Sequence, residues 1–68
     1  MRVVVNGSPA ELDDSAVVTD AVVSSGHSGG FFGVAVAVNG EVVPRSEWAS
    51  TRLHGDDRIE VLVAAQGG

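Results

Sequence analysis

Valine-rich runs interrupted by two Asn-Gly dipeptides set the pattern of this chain. Asn6-Gly7 and Asn39-Gly40 each lie between β-branched residues. Because a type I′ turn needs positive φ at both central residues, Asn-Gly between such runs is the strongest short-range signal for a hairpin. The pattern predicts strands over residues 2–5 and 8–12, and over 34–38 and 41–43. Pro9 cannot donate to a ladder, so we expect the second strand at an edge of the sheet.

Residues 16–25 form the predicted main helix. The acidic and hydroxyl side chains of residues 13–15 are typical of a helix start, and Gly26 is typical of a helix end. A strand is the alternative for this segment, because valine is a poor helix former and the helix must be supported by the sheet. The apolar positions recur at spacings of three and four residues; they are Val17, Val18, Ala21, Val22 and Val23.

The second half of the chain predicts a short helical turn, a loop and a last strand. Ser46 is placed to cap a turn that carries Trp48, and we expect this tryptophan to pack on the core. A tryptophan at a partner interface is the alternative. The alternation over residues 58–63 predicts a strand with Ile59, Val61 and Val63 on one side. We expect Val22 and Ile59 to face the core.

The order hairpin, helix, hairpin, helical turn, strand indicates an α+β fold of the β-grasp, or ubiquitin-like, type. The right-handed crossover rule puts the last strand beside the first, in the middle of a mixed five-stranded sheet. One main helix then covers one face of that sheet. We treat residues 1–68 as a single domain with a flexible C-terminal tail from about residue 64.

Composition excludes several classes of function. The chain has 68 residues, no cysteine and a formal charge of −5, which excludes disulfide scaffolds and thiolate metal sites. All four basic residues are arginines, and without a basic cluster we expect no nucleic-acid partner. No apolar run approaches the ~18–20 residues that span a bilayer, so we expect no membrane partner and a cytoplasmic location.

Other candidate chemistry in the sequence favours structural roles. The glycine-rich stretch at residues 26–33 lacks the lysine of a phosphate-binding loop, so we interpret it as a connector whose Phe31 and Phe32 turn inward. His27 and His54 have no metal-ligand spacing, and we predict no metal site. No nucleophile elbow is present, which makes a small hydrolase the weakest class.

The terminal pair Gly67-Gly68 is the strongest candidate site. A tail without Cβ atoms can pass through a narrow channel of a partner enzyme. Its carboxylate can then reach a nucleotide α-phosphate and become an acyl-adenylate, which sulfur, nitrogen or oxygen nucleophiles attack. The alternative is a frayed terminus without function. Arg52, Arg58 and Gln66 are candidate partner-interface residues, and we expect the two arginines to frame the base of the tail.

The stretch VAVNGEVVPRSEWASTRLHGDD at residues 36–57, followed by a strand and Gly-Gly, resembles the ThiS family. These are the sulfur carrier proteins of thiamine biosynthesis. The resemblance is most specific in VNGEVVPRSEW, in the Gly-Asp turn and in the terminal pair. It implies a β-grasp carrier rather than an enzyme, with Gly68 as the sulfur-bearing residue and Gly67 as the unhindered approach.

The resemblance also implies partners. A ThiF-type adenylyltransferase uses ATP and Mg²⁺ to adenylate the Gly68 carboxylate, and no cofactor is bound by the carrier itself. Sulfur from cysteine, supplied by a desulfurase or an equivalent donor, then yields a thiocarboxylate. A ThiG-type thiazole synthase accepts that sulfur. Two alternatives remain open: a carrier of another sulfur pathway, similar to the small subunit of molybdopterin synthase, and a β-grasp interaction module without carrier chemistry.

Overall fold

A computed structural model of the chain describes residues 1–26 and 32–64. The strands order as β2-β1-β5-β3-β4 in one sheet, so the last strand lies in the middle beside the first, as predicted. The chain therefore has the α+β, β-grasp arrangement expected from the sequence. In chain order the elements are β1 (Arg2–Val5), β2 (Ser8–Glu11), α1 (Val18–Ser24), β3 (Val34–Val38), β4 (Glu41–Val43), a 3₁₀ turn η1 (Arg45–Glu47) and β5 (Arg58–Val63).

The sheet is mixed because β5 has one parallel and one antiparallel neighbouring strand. It runs parallel to β1, with Val5 opposite Ile59, and antiparallel to β3 from the Val34–Val63 pair to the Val38–Ile59 pair. β2 pairs only with β1 and lies at the edge, where the missing N–H of Pro9 costs no ladder bond on the open side. The edge prediction is confirmed.

Both Asn-Gly turns have the predicted conformation. Asn6 and Gly7 have φ of 51° and 81°, and Asn39 and Gly40 have φ of 52° and 84°. Positive φ at both central residues of a two-residue loop is the feature that matches the right-handed twist of the flanking strands. Both hairpins are therefore confirmed.

The core lies between α1 and one face of the sheet. Val22 is fully buried and Ile59 is 1% exposed, as predicted. Trp48 also reaches this core at 2% exposed, and its indole N–H donates to the carbonyl of Val43 at 2.9 Å. The other buried members are Val3, Val5, Ala16, Val18, Ala21, Val36, Leu53 and Val61.

The helix starts two residues later than predicted. Val17 is extended, with φ −116° and ψ 176°, because Ala16 and Val18 bond to the segment before β5. The Leu53 N–H donates to the carbonyl of Ala16 at 3.0 Å, and the Val18 N–H donates to Thr51 at 3.0 Å. Backbone pairing with a neighbouring segment thus replaces the first predicted helical turn.

The capping residue of α1 also differs from the prediction. Asp20 accepts the N–H of Val17 at 2.8 Å from within the first turn. Asp13 instead closes a preceding turn by accepting the N–H of Ser15 at 2.8 Å. Val23, expected on the apolar face, is 58% exposed, because Val18, Ala21 and Val22 form the buried face of the helix and Val23 lies about 100° further round from Val22.

Three smaller predictions are wrong. Ser46 lies inside η1, and Pro44 occupies the N-cap position without a side-chain hydrogen bond. Phe32 is 85% exposed rather than turned inward, and Val63 is 55% exposed rather than buried with Ile59 and Val61. Phe31 lies outside the described residues, as does His27. In residues 1–26 and 32–64 no helix is long and apolar enough to cross a membrane.

Candidate functional site

The central strand β5 carries the chain toward its C-terminus. β3 supports it through the Val34–Val63 pair, and one residue further on the Ala64 N–H donates to the Gly33 carbonyl at 2.7 Å. Gln66, Gly67 and Gly68 lie outside the described residues, so the structure describes the base of the predicted tail and not the tail itself. That base is fixed in a central strand, which defines where the tail leaves the domain.

Two asparagine side chains form hydrogen bonds with β5 at different positions along the strand. Asn6 accepts the N–H of Val61 through Oδ1 at 2.8 Å and donates from Nδ2 to the Val61 carbonyl at 3.3 Å. Asn39 accepts the N–H of Arg58 at 3.0 Å and donates to Oδ1 of Asp57 at 3.0 Å. Each hairpin turn therefore holds β5 as well as joining its own two strands.

The sheet face opposite α1, here called the outer face, presents exposed apolar side chains. Residues directly opposite each other in neighbouring strands share a face, which groups Leu62 with Ala35 and Val42 with Ala37. Val42 is 71% exposed and Leu62 is 65% exposed. β3 lies between them, so Leu62, Ala35, Ala37 and Val42 form one apolar strip across β5, β3 and β4, and a contiguous exposed apolar patch is typical of a protein-contact surface.

Charges on the outer face come from β5 and also from β1 and β2, because Arg2 alternates with the buried Val3 and Val5 and lies opposite Glu11. Glu60 lies opposite Ala37, and Arg58 lies opposite Val4. One carboxylate and one guanidinium thus border the apolar residues, an arrangement that can orient a partner without a strong net field. No polar or charged side chain is buried among the described residues, so the site offers a contact surface and a chain end rather than a buried acid or base.

The two candidate arginines lie away from the tail base. Arg58 begins β5 and Val63 ends it, which separates them by about 17 Å at the usual strand rise. Arg52 lines a groove with Met1 and Gly55, at the end of the sheet where β1 and β5 begin. Neither arginine frames the base of the tail, and their role in partner contact stays a prediction.

Shifted ionisations occur at the other end of the molecule from the tail base. The hydroxyl and N–H of Ser15 lower the pKa of Asp13, and Asp14 raises the pKa of the Met1 amino group by hydrogen bonding. Both groups are at the surface. In residues 1–26 and 32–64, no three acidic or histidine side chains come together as a metal site.

The bonds from the two asparagine side chains to β5 do not follow from the sequence. The preference of Asn6 and Asn39 for positive φ is a local property and predicts only the turns. Their partners Val61 and Arg58 are distant in sequence. The outer-face position of Leu62 followed from the alternation in β5. Its grouping with Val42 across β3 on one exposed face did not, since that depends on the register of β3 with both neighbours.

Comparisons with known proteins agree with this geometry. A crystal structure of the thiamine biosynthesis protein ThiS from Geobacter metallireducens is 31% identical, with a TM-score of 0.78 and full coverage of both chains. An NMR solution structure of a thiamine biosynthesis protein from the same organism is also 31% identical, with a TM-score of 0.76, and covers all of this chain and 88% of that one. No curated protein sequence gives a significant match.

The family comparison covers nearly the whole chain. The model of the ThiS family matches residues 3–68. The match includes the tail base, the outer face of the sheet and the terminal Gly67-Gly68 pair. This chain therefore belongs to the ThiS family.

Proposed function

We propose that this chain is the sulfur carrier of thiazole formation in thiamine biosynthesis. The observation that carries the proposal is the family match, which extends through the Gly-Gly terminus to Gly68. The chain is then a co-substrate of its partners rather than an enzyme. Binding the sulfur at a backbone terminus also fits a sequence that has no cysteine.

The chemistry begins with activation of a carboxylate. A carboxylate is a poor acyl donor, so the Gly68 carboxylate attacks the α-phosphate of ATP in a ThiF-type enzyme, forming the acyl-adenylate and releasing pyrophosphate. A cysteine-derived persulfide then attacks the acyl carbon and displaces AMP, and a thiol of the partner system reduces the resulting acyl disulfide to the thiocarboxylate and is itself oxidised to a disulfide. In the last step a ThiG-type thiazole synthase takes the sulfur. ATP and Mg²⁺ belong to the activating partner.

The tail and the sheet have separate tasks in this proposal. Gly67 and Gly68 lack side chains and can enter a narrow channel, while the outer face remains outside it and contacts the partner. Leu62 and Val42 are large exposed apolar groups on that face. Because Leu62 lies two residues before Ala64, a partner that holds the tail lies next to this side chain.

Conversion of the terminus is the direct test. The carrier is incubated with ATP, Mg²⁺, a ThiF-type enzyme and a sulfur donor, and its intact mass is measured. We expect the mass of the wild type to rise by the difference between one sulfur and one oxygen atom. The mass of the Gly68 deletion variant should stay unchanged. A wild type that gains no sulfur, or a deletion variant that gains as much, would refute the carrier function.

The outer face and the pathway need their own controls. Leu62→Ala should raise the KM of adenylation several-fold, whereas Ala49→Ser, an exposed change on the turn after η1, should leave it unchanged. For the pathway, the purified thiocarboxylate form is mixed with thiazole synthase and its substrates. Loss of sulfur coupled to thiazole formation supports the thiamine assignment, and retention of the sulfur contradicts it.

A further inference from the structure

The parallel pairing between β1 and β5 stops well before β5 ends. Its last backbone pair is Val5 with Ile59, and the Asn6 N–H adds one bond to the Ile59 carbonyl at 2.9 Å. β5 nevertheless continues to Val63. On the β1 side, the strand that leads into the tail would therefore lack a partner beyond Ile59.

The carboxamide of Asn6 fills the next position. It bonds both the N–H and the carbonyl of Val61, at 2.8 and 3.3 Å. A primary amide that offers one acceptor and one donor to a single residue reproduces what a paired peptide group does in a strand. The side chain thus extends the β1–β5 ladder by one step after the chain has already turned away into β2.

Within residues 1–26 and 32–64, this contact is the last one on the β1 side of β5. Ladder groups alternate along a strand: Arg58 and Ala64 bond toward the β3 side, and Val61 bonds toward Asn6. By the same alternation the N–H and carbonyl of Val63 point to the β1 side. Among the described residues β1 has no position opposite Val63.

We infer that Asn6 is a positioning residue for the C-terminal tail: its carboxamide fixes the end of β5 and so the position and direction of the chain at Ala64, where the described residues end. The inference rests on the proposed carrier function only for its kinetic consequence. A tail that leaves in one direction needs less ordering when a partner takes it up. If the direction is lost, only a fraction of the carrier is binding-competent and the apparent affinity falls by that fraction.

The second Asn-Gly turn provides a matched control. Asn39 has almost the same φ, 52° against 51° for Asn6, and also uses both carboxamide atoms: it accepts the Arg58 N–H of β5 and donates to the Asp57 carboxylate just before the strand. Its partners, Arg58 and Asp57, lie at the start of the strand. Glycine accepts positive φ, so Asn6→Gly and Asn39→Gly each keep the turn and remove one side-chain clamp, the first at Val61 and the second at the start of β5.

The first measurement is amide hydrogen exchange by NMR on the full chain. We expect Asn6→Gly to accelerate exchange at Val61 and Ala64 by about tenfold, the effect of losing about one hydrogen bond. Asn39→Gly should accelerate exchange at Arg58 and leave Ala64 within about twofold of the wild type. Unchanged exchange at Ala64 in Asn6→Gly, or equal acceleration there in both variants, would overturn the inference.

The second measurement separates positioning from simple destabilisation. With a ThiF-type enzyme, Asn6→Gly should raise the KM for the carrier by about tenfold with kcat retained, since the partner imposes the tail geometry once it is bound. Asn39→Gly should keep the wild-type KM even if its melting temperature falls equally. Equal KM values in the two variants would contradict the positioning role. A wild type that is not adenylated would refute the proposed function, and the exchange data would still decide the role of Asn6.

Discussion

Truncation of Ile59 is the sharpest test of how this domain is held together. Ile59 lies in the central strand, opposite Val5 on one side and Val38 on the other, and is 1% exposed. Ile59→Ala removes three carbons, which at about 0.8 kcal/mol each is a transfer loss of roughly 2.4 kcal/mol. Both neighbouring strands limit collapse into the space, so a cavity term brings the loss to about 3–4 kcal/mol.

That loss is comparable to the whole stability of a domain of this size. Without disulfides or metals, a core in a chain this short supplies about 3–5 kcal/mol. We therefore expect Ile59→Ala to be partly unfolded in dilute buffer. The control is Leu62→Ala on the same strand, which also removes three carbons but from a side chain that is 65% exposed, so its loss should stay below about 1 kcal/mol.

Trp48 makes the measurement direct. It is the single tryptophan of the chain and is buried, so its fluorescence reports unfolding in a urea titration, with circular dichroism as a second probe. A midpoint for Ile59→Ala near that of the wild type, or an equal loss in Leu62→Ala, would show that the two faces of β5 have been assigned wrongly.

Three further changes test the turns, the indole bond and the pH dependence. Trp48→Phe should lower the free energy of unfolding by about 1–3 kcal/mol, measured by thermal melting, because a β4 carbonyl loses its donor. Gly40→Ala should lower the free energy of unfolding by about 1–2 kcal/mol, because Gly40 has a φ of 84°. The control is Gly55→Ala, at ordinary φ and with no atom within 4 Å of an added Cβ, which should cost less than about 0.5 kcal/mol. Equal urea midpoints for the two variants would contradict this. Asp13→Ala should lower the free energy of unfolding at neutral pH, because the hydrogen bonds from Ser15 lower the pKa of Asp13 below 3.8 in the folded state. The stability difference between wild type and variant should shrink as the pH falls below 3.8 and vanish below the lowered pKa. A difference that grows in acid would refute that sign.

The strands were predictable because their signals are local. Asn39-Gly40 demands positive φ at two adjacent positions, and few backbone solutions other than a tight hairpin satisfy that demand. Alternation in residues 58–63 predicted which side chains of β5 are buried up to Val61. It failed at Val63, which is 55% exposed, because the buried core cluster includes β5 only as far as Val61.

The helix start was not predictable by the same reasoning. An acidic pair followed by serine suits a helix N-terminus, but the backbone of Ala16 and Val18 found partners in residues 51–53. That competition joins segments more than thirty residues apart, and no local propensity reports it. Asp13 still accepts a backbone N–H, that of Ser15. The prediction that its side chain caps a backbone group is therefore correct, but the group belongs to a turn before α1 and not to the helix.

The predicted function places two demands on β5, and the two-residue period of a strand separates them. Ile59 and Val61 point into the core, where any truncation acts on stability. Leu62 points to the outer face near the base of the tail. Its truncation should weaken partner contact and change the free energy of unfolding very little. Because one strand carries both sets, a carrier this small can change its partner surface without rebuilding its core. Asn6 is the exception, since it bonds the backbone of a buried residue and, through it, affects the tail. A variant at Asn6 should therefore alter both tail exchange and KM, whereas Leu62→Ala should alter KM alone and Ile59→Ala should act through unfolding.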